Sequence, residues 1–202
     1  MATASHARTR STPIAIEHRA ADNLQFIRET MERASAFTVV PGHGGIAIGV
    51  TALVAGWIAR HNSPAAQLWI WLWEGALASL LGVAALYWKS KQLSLSLLAK
   101  PARRALLSFV TPIFAGAVIT LALYRLEQIT VLIGLWLLFY GVAVVTAGAF
   151  SVRVVPVMGL CFLILGSIAL FTPARFSNLW MMIGFGGLHI VFGSVIASKY
   201  GG

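Results

Sequence analysis

The sequence predicts an all-α, polytopic membrane protein: six transmembrane helices as three tandem helical hairpins, behind an N-terminal cytoplasmic amphipathic helix. Three observations predict it. Of 202 residues, 58% are apolar and only 10% charged, whereas a water-soluble domain carries about 25% charged residues. Apolar runs recur at close to the roughly 20 residues that cross a hydrocarbon core. The cations are also sorted between alternate loops.

The runs place spans at about 39–59, 67–88, 105–124, 129–150, 154–172 and 178–198. They are helices because an unpaired backbone amide is too costly in lipid, and continuous apolar runs lack the alternation of barrel strands. Two regions follow, a cytoplasmic tail over 1–37 and a six-helix membrane domain over 38–202. The first 35 residues are polar and interrupted by arginines, so no cleavable signal peptide is visible and the first span is expected to direct insertion.

Cations fix the expected orientation. With the N-terminus inside, the cytoplasmic side holds Arg8, Arg10, Arg19, Arg28, Arg33, Lys89, Lys91, Lys100, Arg103, Arg104, Arg153 and Lys199. The other side holds only Arg60, Arg125 and Arg175. Both chain ends are then cytoplasmic, and the expected location is a bacterial inner membrane. The formal charge of +9 is accounted for by topology and by attraction to anionic lipid. No base-reading motif supports nucleic acid as a partner. Trp57, Trp69, Trp71, Trp73, Tyr124 and Trp180 gather near the outer ends, and Trp88 and Tyr200 near the inner ends, as an interfacial aromatic belt does.

Short outer loops join the spans as hairpins. Within the even spans, Gly75 and Gly82, Gly134 and Gly141, and Gly186 and Gly193 stand seven apart. Seven residues are close to two turns, so each pair marks one face on which a neighbouring helix can come near. QLWIWLWEGALASLLG aligns with NLWMMIGFGGLHIVFG at constant offset, and VPGHG at 40–44 echoes VPVMG at 155–159. These matches predict tandem two-helix repeats that run parallel, not inverted.

Residues 159–197, GLCFLILGSIALFTPARFSNLWMMIGFGGLHIVFGSVIA, resemble a hairpin repeat of the HdeD-like acid-resistance membrane protein family. The shared features are a Gly-rich first helix, a Pro-containing outer turn, and a second helix with glycines two turns apart. LIGLWLLFYGVAVVTAGAF, residues 132–150, is similar to the second helix of such a repeat. The resemblance is best over 105–198. It departs where Ala122–Tyr124 lead into Arg125 without the usual proline. It implies a six-span inner-membrane protein linked to stress tolerance, and it carries over no catalytic residue.

In the tail, Ser11 or Thr12 can cap a helix with Pro13 at its first position. Leu24, Ile27, Met31 and Ala34 then recur at helical spacing. Residues 13–37 are expected to pack beneath the bundle or to dock a cytoplasmic partner or a second copy of the chain.

Chemistry is sparse. Glu74 stands about 10 Å inside the outer end of the second span, where a carboxylate must face the bundle, face a hydrated recess or stay protonated. His189 in the sixth span is its candidate partner. His43 reads as an interfacial histidine, Arg103 and Arg104 as topology signals, and Cys161 as a small core residue. There is no GxSxG, HExxH, Walker motif or Cys/His cluster, so no catalytic residue, metal site or cofactor is expected. The expectation is a non-enzymatic, stress-linked or accessory membrane component acting through helix packing and partner contacts. The alternative is a small transporter or channel with a proton-responsive Glu74/His189 site.

Overall fold

The computed structural model describes residues 22–24, 26–27, 40–94 and 100–200. The chain divides into two units, Met1–Ala36 and Phe37–Gly202. In the first, residues 22–24 and 26–27 are helical and exposed. The remainder of the helix expected over 13–37 lies outside the described residues.

The second unit contains six helices long and apolar enough to cross a membrane. They are α1 (Gly42–Ala59), α2 (Pro64–Gln92), α3 (Lys100–Arg125), α4 (Ile129–Gly148), α5 (Val154–Phe171) and α6 (Ala174–Tyr200). Each coincides with one predicted span. α2 and α3 start several residues earlier than the apolar runs, α2 at Pro64 and α3 at Lys100, ahead of Arg103 and Arg104. Ser63 is the N-cap of α2, its hydroxyl accepting from the Ala66 amide, and Pro64 takes the first turn, where its missing N–H costs nothing.

α3 ends without the proline that the family resemblance leads one to expect. Instead Glu127 adopts a left-handed φ of 57°. The Gln128 amide then donates to the Leu123 carbonyl and the Glu127 amide to the Tyr124 carbonyl. This double closure satisfies the last carbonyls of the helix and turns the chain directly into α4. Pro112 lies inside α3 and cannot donate to the Ser108 carbonyl one turn back. The Thr146 hydroxyl of α4 lies 3.0 Å from that carbonyl and 2.8 Å from the Val142 carbonyl of its own helix, so a neighbouring helix brings a donor, shared between two acceptors, to the carbonyl that proline leaves open.

α6 is not uniform. It opens with a 3₁₀ turn at Ala174–Phe176, continues as α-helix over Ser177–Met181, widens to a π-helix over Met182–Leu188, and returns to α-helix over His189–Tyr200. The wide segment reads MIGFGGL.

Glycines decide which helices press together. On α1, Gly42, Gly49 and Gly56 face α6. A Cβ placed on Gly49 would come within 2.7 Å of the Gly186 carbonyl oxygen, and one on Gly193 within 2.8 Å of the Ile46 nitrogen. Gly42 meets the Ala197 backbone and Gly56 meets Met182, so the two helices run antiparallel. α4 and α5 repeat the arrangement. A Cβ on Gly141 would lie 3.0 Å from the Gly159 oxygen, and one on Gly166 would lie 3.0 Å from the Gly134 oxygen, with Gly148 against Pro156. Backbones this close gain dispersion contacts and Cα–H···O approaches that bulkier residues forfeit. α2 packs on α1, and α3 on α4. α5 has its broadest contact with α4, and α6 with α1.

The six glycines singled out by spacing therefore divide. Gly134, Gly141, Gly186 and Gly193 lie in the two seams. Gly82 has only the tip of Ile48 nearby, at 3.7 Å, and a Cβ on Gly75 would meet nothing within 4 Å. Gly141→Leu or Gly49→Leu should each destabilise the bundle by about 1–3 kcal/mol or more, because partner backbone must move. Gly75→Leu, at an open position, should change stability by less than about 0.5 kcal/mol. Thermal or denaturant unfolding in micelles, followed by circular dichroism, measures both.

Candidate functional site

Polar side chains occur at three levels of the bundle. At the end formed by the α1–α2 and α5–α6 turns, Trp71 and Asn178 join three helices. The Trp71 indole N–H donates to Asn178 Oδ1 at 3.0 Å, and Asn178 Nδ2 donates to the Gly56 carbonyl at 2.8 Å. The WIWLW run explains Trp71. Trp69 and Trp73 are one turn apart and both exposed, while Trp71 points the opposite way and is buried. Trp71 thus belongs to the core and not to the expected aromatic belt, because its indole N–H finds an acceptor inside.

Deeper on α2, Glu74 is buried against α1. Thr51 Oγ1 lies 2.8 Å from Glu74 Oε1 and 2.9 Å from the Ile48 carbonyl. The hydroxyl has one hydrogen for these two acceptors.

The His189 side chain reaches from α6 to α4 and α5. Its Nε2 is 2.7 Å from the Tyr140 hydroxyl of α4. The imidazole is stacked on Phe185, and Phe162 of α5 meets it edge-on. Tyr140 itself contacts Phe109, Phe162 and Phe185, so the pair sits inside an aromatic cluster built from α3, α4, α5 and α6. Nδ1 is buried without a hydrogen bond of good geometry. Glu74 and His189 are not brought together. Each takes a hydroxyl from a different neighbour, Thr51 on α1 and Tyr140 on α4.

At the other end of the bundle, Lys89 is buried and its ammonium donates to the Val40 carbonyl at 2.9 Å and the Tyr200 carbonyl at 3.3 Å. It ties the end of α2 to the entry of α1 and the exit of α6. Tyr200 supplies a terminal helix carbonyl, the group a cation complements. Val40 and Tyr200 consequently lie on the same side of the membrane domain.

Of the remaining sequence candidates, His43, Arg103, Arg104, Arg125 and Glu127 are exposed, and Cys161 is a half-buried free thiol. Among the described residues no group of three or more His, Cys, Asp or Glu side chains could hold a metal ion. A recess of about 380 Å³ opens at the Arg60 end, lined by Arg60, Gln67, Thr130, Ile133, Arg175 and Asn178 among others, but by neither Glu74 nor His189. Thr51, Tyr140 and Asn178 complete the interactions of Glu74, His189 and Trp71, and no motif or spacing marks them in the sequence. Each is a lone polar group in or beside an apolar run, and that isolation was the available signal.

Six helices long and apolar enough to cross a membrane place the chain among the multi-pass integral membrane proteins. Compared with known proteins, it matches no family model, no curated protein and no solved structure.

Asn178→Leu should cost about 1–3 kcal/mol by stranding the buried indole N–H of Trp71, and Tyr140→Phe a similar amount by stranding His189 Nε2. Unfolding of each variant in micelles gives the cost, and a Trp71→Phe, Asn178→Leu double variant should recover part of the first loss.

Proposed function

We propose that the chain is a non-enzymatic structural or accessory component of a bacterial inner membrane, linked to stress tolerance in keeping with the HdeD-like resemblance. It acts through helix packing and through contacts with partners. Both termini are cytoplasmic, and residues 13–37 provide the docking segment for a cytoplasmic protein or a second copy. Its permanent partner is the lipid bilayer, and no cofactor is required.

The observation that carries this reading is the pairing of the interior polar groups. Glu74 is engaged by Thr51, His189 by Tyr140 and Lys89 by backbone carbonyls. A proton or ion pathway needs polar groups that hand over from one to the next. Here Glu74 and His189 face different helices, and an aromatic cluster surrounds His189.

Proteoliposomes carrying the protein should show no proton flux above protein-free vesicles, and Glu74→Gln should not alter that baseline. Deleting residues 13–37 should abolish co-purification of a cytoplasmic partner or reduce the oligomeric mass. A substrate-dependent flux lost in Glu74→Gln would instead establish the transport reading. Reporter fusions at each terminus decide the orientation.

A further inference from the structure

The recess at the Arg60 end joins features that topology and packing leave unexplained. Of the described cations, Lys89, Lys91, Lys100, Arg103, Arg104, Arg153 and Lys199 lie at the opposite end of the bundle. Only Arg60, Arg125 and Arg175 lie at this one. Cations are disfavoured on the less positive side of a membrane protein, yet two of the three line a single concavity. They come from separate elements, Arg60 from the α1–α2 turn and Arg175 from the 3₁₀ turn that opens α6, so local sequence does not explain their convergence.

No carboxylate lines the recess, so the arginines are not there to neutralise an acidic wall. The Arg60 guanidinium lies 4.4 Å from the Trp57 ring centroid, and that of Arg175 lies 4.9 Å from Phe176. Stacking occupies the face of a guanidinium and leaves its in-plane N–H fork for an oxyanion. Thr130 and Ser177 add hydroxyls and Gln67 an amide, while Leu68, Ile133 and Met182 form apolar wall. The wall is braced, since Asn178 is held by both Trp71 and the Gly56 carbonyl. A volume of about 380 Å³ lies within the range of about 300–1,000 Å³ common to small-molecule sites.

We propose that this recess is an anion site for a phosphate group, clasped by Arg60 and Arg175 with hydroxyl donors from Thr130 and Ser177. The phosphate is the headgroup of an anionic lipid or a soluble phosphate. The apolar wall is compatible with either, and the chemistry at the arginines is shared.

The test uses the full-length chain. In phosphatidylcholine nanodiscs, inorganic phosphate is titrated against thermal stability and by calorimetry. In a second arm, detergent-solubilised protein is offered phosphatidylglycerol, and retained lipid is counted by native mass spectrometry. The Arg60→Gln, Arg175→Gln double variant should weaken binding about tenfold or more, the equivalent of losing at least one charge-assisted hydrogen bond. Thr130→Phe, which keeps both cations and adds bulk to the lining of the recess, should do the same. Arg125→Gln, outside the recess, should leave binding unchanged. Phosphate binding with this pattern assigns a soluble ligand, and lipid retention alone with this pattern assigns the headgroup. If neither probe binds, or if Arg125→Gln weakens binding as much as the double variant, the proposal is overturned, and the arginines are ordinary interfacial contacts. Should the double variant not fold, Thr130→Phe decides alone, and unaltered binding in it overturns the proposal.

Discussion

Contact between backbones at glycine is the constraint on which the rest of the bundle depends. Lipid tails are as apolar as leucine, so burying side chains gives helices in a bilayer little reason to associate. What remains is close approach, and dispersion decays steeply with separation. The chain solves this twice with one arrangement. Three glycines seven apart on α1, Gly42, Gly49 and Gly56, face Ala197, Gly186 and Met182 of α6 in turn. Three glycines seven apart on α4, Gly134, Gly141 and Gly148, run along α5 beside Gly159 and Gly166. The first seam joins the first helix to the last, which is why Lys89 can reach the carbonyls of Val40 and Tyr200 together. The second sets Tyr140 of α4 against Phe162 of α5 and so prepares the aromatic surroundings of His189.

The six helices were legible because an apolar run of the right length has few alternatives in a membrane. The seams were half legible. A spacing of seven reveals a stripe, but it does not reveal what the stripe faces. Gly75 and Gly82 share the spacing of Gly186 and Gly193, and the surrounding sequences align, yet their environments differ. α2 buries Leu68, Trp71 and Glu74, and Gly75, seven residues after Leu68 and one turn after Trp71, shares that side by spacing. Yet no atom of another helix comes within 4 Å of a Cβ placed there. Spacing leaves a helix free to rotate and tilt against its neighbours, so it does not say what a stripe meets.

The same rotational freedom separated Glu74 from His189. Sequence identified each as a polar group that needs a partner inside the bundle, and each has one. Depth along a helix can be counted from sequence, but the direction a side chain takes around the axis depends on neighbours. α6 adds a complication, since the π-helical turns over Met182–Leu188 shift the register of residues that follow. His189 begins the segment after that shift. Lys89 shows the converse case. It reads as one more cation at a cytoplasmic end, where a lysine ordinarily snorkels to the headgroups. Two backbone carbonyls brought together by the α1–α6 seam compete with the headgroups for its ammonium, and no local feature of the sequence announces them.

The helices are consequently held in two ways. α1 with α6 and α4 with α5 form a frame by backbone contact. α2 and α3, the least buried of the six, pack on that frame and add side-chain hydrogen bonds to it. α2 uses Trp71 to Asn178, Thr51 to Glu74, and Lys89 to the carbonyls of Val40 and Tyr200. α3 accepts from Trp136 at Thr120 and from Thr146 at the Ser108 carbonyl. Individual interhelical hydrogen bonds in a membrane are worth about 0.6–2 kcal/mol each, so losing one loosens an attachment without moving the frame. A methyl group in a seam displaces a backbone, and with it every residue the opposing helix positions. Tolerance to substitution therefore differs between the pairs for a geometric reason: a side chain can turn to another rotamer, whereas a helix backbone already in contact has no such freedom.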